Sequence, residues 1–372
     1  RARPPNPPAR GPESKEAFMR TRVARLYGAH DLRVEEQEIP PPGPGEVMLR
    51  MAAGGICGSD LHYYQDGGFG PVRVREPIIA GHEASGRVAA VGAGVDLAPG
   101  TLVAVNPSQP CGACEYCLRD MPVHCLDMHF IGSAMRMPHE QGMFRDLFTV
   151  PARQVHALPA GVSEAEAACA EPLAVCLHAV GQARNLLGDL SRLRILISGA
   201  GPIGLLVLAA ARHSGARDVI VTDLTDAALA RAKAMGAGQV INVATDPAAL
   251  EPLQKDKGQV DLIFDCSAAA PALRAAFAAI RPRGTIIQVG VTGDISIPLN
   301  ALVGKEITWR GSQRFHPEFA EAVSLIGAGM IDVKPVITHS LPLEQAREAF
   351  ELAGDRSLAC KVQLTFGTED TP

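Results

Sequence analysis

The sequence contains few aromatic residues and has little net charge. Phe, Trp and Tyr make up 4% of its 372 residues, too few for the stacking surfaces typical of proteins that bind single-stranded nucleic acids. The formal net charge of −5 argues against nucleic acid or an anionic membrane as the main partner. Long apolar runs are missing as well, because the longest stretch, residues 195–211, is interrupted by serine, glycine and proline. We therefore expect neither nucleic acid nor a membrane among the partners.

The N-terminus has no apolar segment of the kind found in secretory signals. Residues 1–18 hold five prolines and four basic residues, and Met19 begins a stretch that resembles a natural start. We interpret residues 1–18 as a cloning remnant or an extended reading frame and exclude them from the fold. Five of the nine cysteines are grouped in metal-binding patterns instead of being spread as disulfide pairs. This usage indicates a reducing compartment, and we expect a cytoplasmic protein.

Two different patterns divide the chain, whose length favours two domains. Residues 19–168 contain short alternating segments separated by Gly and Pro, which predicts a compact, antiparallel, β-rich domain. Residues 169–311 alternate apolar strands with helices, which predicts a doubly wound parallel sheet. Residues 312–372 contain two helical stretches and a final strand, and we expect them to return to the first domain. The predicted fold class is α/β, with residues 19–168 and 312–372 forming one domain.

A glycine-rich turn, Gly199-Ala-Gly201-Pro-Ile-Gly204, follows a predicted strand and opens a helix. In this Rossmann arrangement Gly199 makes the turn, Gly201 admits the pyrophosphate, and Gly204 lets the helix pack closely on the strand. Asp223 lies at the end of the next strand, where a carboxylate binds the ribose hydroxyls and repels a 2′-phosphate. The pattern predicts NAD in preference to NADP. The alternative is an ordinary strand-to-helix turn that binds no nucleotide.

Four cysteines lie within fifteen residues: Cys111, Cys114, Cys117 and Cys125. Their spacing predicts a closed tetrahedral site for a structural zinc ion, since no position is left open for a substrate. The surrounding loop has little periodicity and needs a crosslink to hold its shape. The alternative is that these cysteines are close by chance.

A second possible metal site combines Cys57, His82 and Glu83, with a further carboxylate at Glu171. Fewer than four tightly held protein ligands would leave room for water or substrate, as a catalytic zinc ion requires. The spacing alone leaves alternatives open, because His82 is also compatible with a core histidine and Glu83 with a solvated charge.

The whole set of motifs resembles one family. The segments Gly81–Gly86 and Cys57–His62, the four-cysteine lobe and the glycine-rich turn are similar to zinc-dependent medium-chain alcohol and polyol dehydrogenases. The resemblance runs from about Met19 to the C-terminus. It implies a β-rich GroES-like catalytic domain with a structural zinc lobe, a Rossmann NAD-binding domain, one catalytic and one structural zinc ion, and a homotetramer.

The resemblance also implies roles for individual residues. The catalytic set is Cys57, Ser59, His62, His82, Glu83 and Glu171, in which Ser59 passes the proton released from the alcohol through the cofactor ribose to His62. From the sequence alone, Asp60 is expected to orient His82, although it is also compatible with a turn-forming aspartate. The residues expected to bind the cofactor are Gly199, Gly201, Ile203, Gly204, Asp223, Val289, Gly290 and Arg314. The residues expected to bind the substrate are Tyr63, Arg136, Arg314 and Phe315.

Glu171 replaces a cysteine ligand of the alcohol dehydrogenases, which resembles the sorbitol and polyol branch. Animal sorbitol dehydrogenases lack the four-cysteine lobe, whereas this chain keeps it. The segments Gly55–Gln65, Cys111–Cys117 with Cys125, and Gly132–Arg136 are similar to the L-idonate 5-dehydrogenases, which implies oxidation of the C5 hydroxyl of L-idonate to 5-keto-D-gluconate. Some of these enzymes use NADP, so the prediction of NAD rests on Asp223.

An aldonate substrate needs a cation in the pocket, and Arg136 and Arg314 are the candidates, although either is also compatible with a surface arginine. Oxidation of a neutral polyol such as sorbitol or xylitol is the alternative reaction. A zinc-free reductase or a non-catalytic NAD-binding regulator is the third hypothesis, and it is disfavoured because the whole set of motifs is intact.

Overall fold

The computed structural model describes residues 18–291 and 293–367. The N-terminal extension predicted from the sequence, residues 1–18, therefore lies outside the described residues except for its last position. The strands are β1 (Met19–Gly28), β2 (Asp31–Ile39), β3 (Glu46–Gly55), β4 (Gly68–Phe69), β5 (Val72–Arg73), β6 (Ile78–Ile79), β7 (Glu83–Val91), β8 (Leu102–Val105), β9 (Ser108–Gln109), β10 (His129–Phe130), β11 (Leu147–Pro151), β12 (Val155–Ala157), β13 (Arg194–Ser198), β14 (Asp218–Asp223), β15 (Gln239–Asn242), β16 (Val260–Asp265), β17 (Ile280–Gln288), β18 (Thr308–Gly311), β19 (Ile337–Pro342) and β20 (Lys361–Thr365).

The α-helices are α1 (Gly58–Asp66), α2 (Glu115–Leu118), α3 (Glu164–Ala168), α4 (Ala170–Leu187), α5 (Pro202–His213), α6 (Asp226–Ala234), α7 (Glu251–Gln254), α8 (Ala270–Ala279), α9 (Leu299–Gly304), α10 (Glu318–Gly327) and α11 (Ala346–Gly354). Short 3₁₀ helices span Pro122–His124, Ala152–Gln154, Pro247–Leu250, Lys255–Lys257, Lys334–Val336 and Leu343–Gln345. In the part of the chain that the structure describes, no helix has both the length and the apolar character that crossing a membrane requires.

A six-stranded parallel sheet forms the half of the chain that contains the glycine-rich turn. Its strand order is β15-β14-β13-β16-β17-β18, so the strand order reverses beside β13, where the two halves of a doubly wound sheet meet. The central strands β13, β14 and β16 are almost continuously buried because helices cover both faces of the sheet. The parallel sheet predicted from the sequence is confirmed.

A seven-stranded sheet forms the other half. Its main path is β12-β8-β7-β3-β20-β19, and β11 also pairs with β3. Most pairs are antiparallel, as predicted, but β19 and β20 run parallel. This difference follows from their connection, because α11 crosses between them and parallel neighbours need such a crossover.

The C-terminal strand returns to the sheet that begins the fold. β20 pairs with β3, with Gln363 opposite Gly55 and Thr365 opposite Ala53. The chain therefore leaves the seven-stranded sheet, builds the parallel sheet, and comes back to place a late strand beside an early one. The exact domain boundaries at residues 168, 169, 311 and 312 stay a prediction.

Candidate active site

The four lobe cysteines converge in a loop built from very short elements. Their sulfur atoms all lie within 4.8 Å of one another, and Cys114 Sγ is 3.9 Å from Cys125 Sγ. A tetrahedron with Zn–S bonds of about 2.3 Å has sulfur atoms about 3.8 Å apart, so the separation fits a zinc site. It does not fit a disulfide, and all four cysteines are free thiols.

The surroundings of the lobe cysteines also change the pKa values of their thiols. The backbone N–H groups of Cys117 and Leu126 lower the pKa of the Cys114 thiol to about 6. Burial and the neighbouring sulfur atoms of Cys114 and Cys125 raise the pKa of Cys117 to about 12. Thiols this close together cannot all ionise without a compensating charge, which a divalent metal supplies. The residues present therefore fit a structural zinc ion.

A second cluster forms where β3, α1 and β7 meet. Ligand atoms of Cys57, His82 and Glu83 lie within 4.8 Å of one another. Cys57 is the residue that precedes α1, and Glu83 is the first residue of β7, opposite Gly55 of β3. A Cβ atom on Gly55 would lie 2.2 Å from Glu83 Oε2, so the glycine makes room for the carboxylate. A thiol, an imidazole and a carboxylate are suitable donors for zinc.

Asp60 connects the segments that carry this cluster through hydrogen bonds to their backbone. Its side chain is fully buried and accepts hydrogen bonds from Cys57 N at 3.0 Å and Gly81 N at 3.3 Å. Its Oδ1 lies 3.6 Å from His82 Nδ1, a buried nitrogen that has no hydrogen-bond partner among the described residues. Asp60 thus stands where a residue that orients a metal-binding histidine is needed.

Glu83 has a partner that sequence reasoning missed. Lys361 Nζ lies 2.8 Å from Glu83 Oε1 and 2.7 Å from Oε2, and both side chains are almost completely buried. The two residues are 278 positions apart and meet only because β20 returns to β3. The local sequence around Lys361 contains no motif that indicates this role.

Glu171 lies in the first turn of α4 and is 5% exposed. Burial raises the pKa of its carboxyl group to about 8, and the charges of Glu83 and Cys57 act in the same direction. Burial and the charge of Glu83 also raise the pKa of the Cys57 thiol to about 12. Both groups therefore hold their protons in the protein alone, and the incoming charge of a metal ion would favour ionisation of Cys57. Glu171 lies outside the close group of three ligand residues, and its direct bond to zinc stays a prediction.

Ser59, His62 and Tyr63 all lie on α1. Ser59 is half-buried and His62 is exposed, three residues further on and so on the same side of the helix. His62 Nδ1 lies 3.2 Å from Asp66 Oδ2. Tyr63 is buried, and its hydroxyl accepts a hydrogen bond from Ala134 N at 3.2 Å. This order from interior to surface is compatible with the predicted path for a proton.

The glycine-rich turn has the geometry that a dinucleotide needs. Gly199 has a φ of +94°, which L side chains rarely adopt. A Cβ atom on Gly204 would lie 1.8 Å from the carbonyl oxygen of Gly199, whereas one on Gly201 would meet open space. Asp223 Oδ2 accepts a hydrogen bond from Ala200 N at 2.7 Å, which fixes the turn against β14.

The other predicted cofactor residues lie near the same edge of the parallel sheet. Val289 and Gly290 follow β17, and their N–H groups both donate to Asp265 O. Ile203 lies in the first turn of α5, where its carbonyl oxygen is 3.4 Å from Cys176 Sγ. Contact of these three residues with a cofactor stays a prediction.

Arg314 lies close to the cluster that contains His82. Its guanidinium carbon is 3.9 Å from the centre of the Phe130 ring, and that ring is 5.6 Å from the ring of His82. Burial lowers the pKa of Arg314, and the charge of Glu171 opposes that effect. Arg314 also borders a cavity of about 370 Å³ whose lining is completed by Tyr116, Val123, His124, Cys125, Met128, Met135 and Gln313.

The other two predicted substrate residues have different surroundings. Arg136 forms ion pairs with Asp127 and, at 3.7 Å, with Glu140. Phe315 is 1% exposed and packs against Phe319 in the main apolar core. The structure thus gives Arg136 carboxylate partners within the protein and gives Phe315 a packing role, while their contact with substrate stays a prediction.

Two family models match most of the chain. Residues 43–160 match the alcohol dehydrogenase GroES-like domain, and residues 202–328 match the zinc-binding dehydrogenase domain. The first contains Cys57, His82 and the four-cysteine lobe, and the second contains Gly204 and Asp223.

Individual relatives agree with this result. The chain is 38% identical over 349 residues to L-idonate 5-dehydrogenase (NAD(P)(+)) of Escherichia coli K12, which covers 94% of this chain and 99% of the relative. It is 35% identical over 351 residues to sorbitol dehydrogenase of Bos taurus, covering 93% of this chain and 96% of the relative. The crystal structure of the E. coli L-idonate 5-dehydrogenase superposes with a TM-score of 0.89, covering 94% of this chain and 99% of that one.

Proposed function

Because this chain belongs to the zinc-dependent medium-chain alcohol and polyol dehydrogenases, which use NAD(P), we propose that it oxidises the C5 hydroxyl of L-idonate with NAD⁺. The products are 5-keto-D-gluconate, NADH and a proton. The observation that carries the proposal is the convergence of Cys57, His82 and Glu83 within 4.8 Å, together with a nearby arginine for an acidic substrate.

Cys57, His82 and Glu83 would hold the catalytic zinc ion, with Glu171 beside them. When bound, zinc supplies Lewis acidity that makes the alcohol proton easier to remove. Ser59 would accept that proton in the interior as it passes its own hydroxyl proton on toward His62, and His62 would deliver a proton to solvent, as their order along α1 suggests. When bound, NAD⁺ would supply the acceptor for the hydride from C5, and the backbone of residues 199–204 and 289–290 would orient it.

Arg314 is proposed to bind the carboxylate of the substrate. Within residues 18–291 and 293–367, no acidic side chain forms an ion pair with Arg314, whereas Arg136 has two such partners. A guanidinium group binds a carboxylate through two parallel hydrogen bonds. One aromatic ring, Phe130, separates Arg314 from His82, so the acid and the reacting carbon can lie at opposite ends of one bound molecule.

The choice of NAD rests on Asp223. Its carboxylate is held at the end of β14 by Ala200 N and by the N–H groups of Leu224 and Thr225. This position suits the ribose hydroxyls and disfavours a 2′-phosphate. The homotetramer, on the basis of the family resemblance, and the cytoplasmic location, on the basis of cysteine usage, also stay part of the proposal.

The test measures absorbance at 340 nm with L-idonate or sorbitol, each offered with NAD⁺ or NADP⁺. We expect turnover of L-idonate with NAD⁺ to exceed the other three combinations. In Arg314→Gln, kcat/KM for L-idonate should fall by about 10- to 100-fold, as for the loss of a charge-assisted hydrogen-bond pair. Arg184→Gln, which changes an exposed arginine at the end of α4, is the matched control.

Neutral polyol oxidation is the second candidate, supported by the similarity to sorbitol dehydrogenases. It would be favoured if sorbitol were the better substrate and Arg314→Gln had the same small effect on both substrates. No turnover of any pair by zinc-loaded protein would contradict both candidates.

A further inference from the structure

Lys361 is an unusually buried cation beside the candidate metal site. Its side chain is 3% exposed, and lysine is seldom buried to this degree unless it is paired. Its ammonium group has three acceptors: Glu83 Oε1 at 2.8 Å, Glu83 Oε2 at 2.7 Å and Ile56 O at 3.1 Å. Since an ammonium group has three N–H bonds, Lys361 is fully satisfied by this cluster.

The pairing restricts what Glu83 can do. A carboxylate has about four lone-pair sites, and the single Nζ of Lys361 contacts both oxygens of Glu83, so it uses the two sites that face the same way. The two remaining sites face opposite sides of the carboxylate, so one metal ion beside Cys57 and His82 can take only one oxygen. A symmetric contact through both oxygens would have to compete with two short hydrogen bonds to a buried cation.

The balance of charge around the candidate metal site also requires a cation beside Glu83. Asp60 and Glu83 are buried acids, and the metal would also draw a thiolate from Cys57. A charge-rich group of this kind is stable in the interior only when it is nearly neutral overall. Lys361 supplies a positive charge in direct contact with Glu83.

We propose that Lys361 is a positioning residue for the catalytic metal, because its two hydrogen bonds limit Glu83 to one metal bond and so keep a coordination position free for the substrate. This inference rests on the metal centre of the proposed function. It extends that function by assigning a residue from the C-terminal strand to a site otherwise built from the first hundred residues and α4.

A purely structural role for Lys361, as an anchor of β20 to β3, is the alternative. Such a role would alter stability but would leave the coordination of the metal unchanged. The test therefore reads the coordination directly, by ¹¹³Cd NMR of protein loaded with Cd²⁺. A site of four thiolates and a site of mixed sulfur, nitrogen and oxygen donors give separate resonances, so the lobe serves as an internal reference.

In Lys361→Met we expect the resonance of the mixed site to shift while that of the lobe stays in place. In the zinc-loaded enzyme kcat should fall at least tenfold, because Glu83 is free to occupy the substrate position. The matched control is Lys334→Met, which changes an exposed lysine paired with Glu166 and should leave both signals and kcat unchanged.

A double-variant cycle separates an effect through Glu83 from a general one. In a Glu83→Gln background, adding Lys361→Met should leave the mixed-site resonance in place and should change kcat by less than twofold. The double variant Glu83→Gln/Lys361→Met also removes both buried charges, so it can be measured even where Lys361→Met alone is unstable.

An unchanged mixed-site resonance in Lys361→Met would overturn the inference. An equal loss of kcat in both backgrounds would also overturn it. In that case Lys361→Met would lower kcat as much in the Glu83→Gln variant as in the protein with Glu83 intact. Failure of the double variant to fold would show that Lys361 stabilises the sheet and does not act by positioning the metal. If the unmutated protein gives only the lobe resonance, the proposed metal centre itself is wrong, and the inference fails with it.

Discussion

At the scale of single residues, Asp223 has two roles that can be separated. Its oxygens accept hydrogen bonds from Ala200 N at 2.7 Å, Leu224 N at 2.7 Å and Thr225 N at 3.0 Å, which fix the nucleotide-binding turn. Its negative charge at the end of β14 is the feature that would discriminate between cofactors. The first role uses both oxygens as acceptors, of which asparagine would keep one, whereas the second depends on charge and is measured by the ratio between the two cofactors.

We predict that Asp223→Asn lowers the preference for NAD⁺ over NADP⁺. Removing the repulsion between the carboxylate and a 2′-phosphate should reduce the ratio of the two kcat/KM values by about tenfold, or about 1.4 kcal/mol. Initial rates with both cofactors at saturating substrate provide the measurement. Asp218→Asn, an exposed position at the start of the same strand, is the control, and an unchanged ratio in Asp223→Asn would contradict the role of the charge.

The same scale shows how far sequence reasoning reaches. Cys57, His82 and Glu83 were predicted as a group, and the structure brings them together because the end of β3, just before Cys57, pairs with the start of β7 at Glu83. The partner of Glu83 was missed, since Lys361 lies 278 positions away and its neighbours contain no pattern that marks a buried cation. The ion pairs of Arg136 and the burial of Phe315 were missed for a related reason, because spacing does not reveal which face of a loop packs inward.

At the scale of elements, the contact between β13 and α5 depends on one position without a side chain. Gly204 lies in the first turn of α5, where a Cβ atom would be 1.8 Å from Gly199 O. Since that oxygen belongs to the backbone of the nucleotide-binding turn, the helix itself would have to move. The turn, the strand and the helix therefore form a unit that holds its shape only with glycine here.

Gly204→Ala should weaken NAD⁺ binding at least tenfold and destabilise the protein by about 1–3 kcal/mol, as overpacking in a tight interior does. Isothermal titration with NAD⁺ and thermal unfolding provide the two measurements. Gly181→Ala is the matched control, because it lies inside α4 with nothing within 4 Å of a new Cβ atom. There alanine should raise stability by about 0.5–1 kcal/mol, and equal effects at the two positions would contradict the packing argument.

The lobe between β9 and β10 is the second element that can be tested alone. It holds Cys111, Cys114, Cys117 and Cys125 in short turns with little apolar packing. Cys114→Ser should reduce bound zinc from two ions to one per chain and lower Tm by about 5 °C or more, because metal binding stabilises such a loop.

Cys57→Ser should have a larger effect on activity and a smaller effect on Tm than Cys114→Ser. It should also remove one zinc ion, but it should abolish activity with a smaller change in Tm, since β3, α1 and β7 hold its surroundings by packing. Metal analysis by mass spectrometry, combined with Tm and initial rates, distinguishes the two variants. A loss of both zinc ions in either variant would show that the two sites are not independent.

At the scale of the whole molecule, both candidate metal sites belong to the seven-stranded half, and the predicted cofactor residues 199–223 belong to the half built on the parallel sheet. The pattern of short β segments followed by strand–helix alternation predicted this division. It could not predict that β19 and β20 are parallel or which strand is their neighbour, because pairing across 300 residues is decided by the packing of the complete sheets.

Removal of zinc should therefore affect the two halves differently. Dialysis against a chelator should lower Tm and abolish activity, since a ligand that binds the folded state but not the unfolded state stabilises the fold, and its removal takes that stabilisation away. NAD⁺ binding, followed by titration calorimetry, should persist because its residues include no metal ligand. Zinc should restore both Tm and activity, whereas Mg²⁺ should not, since thiolates are poor ligands for it. Loss of NAD⁺ binding in the metal-free protein would contradict the separation.

The position of β20 has a consequence for folding of the protein during its synthesis on the ribosome. β3 is made early, but its neighbour β20 is made about 300 residues later, which takes roughly 15–60 s at 5–20 residues per second. Throughout that interval the nascent catalytic sheet has an open side at Gly54 and Gly55, and Glu83 has no counter-charge. Translation of the last strand is therefore the event that closes the sheet and completes the charges of the active site, so premature termination a few residues before Lys361 would leave a nearly full-length chain without either.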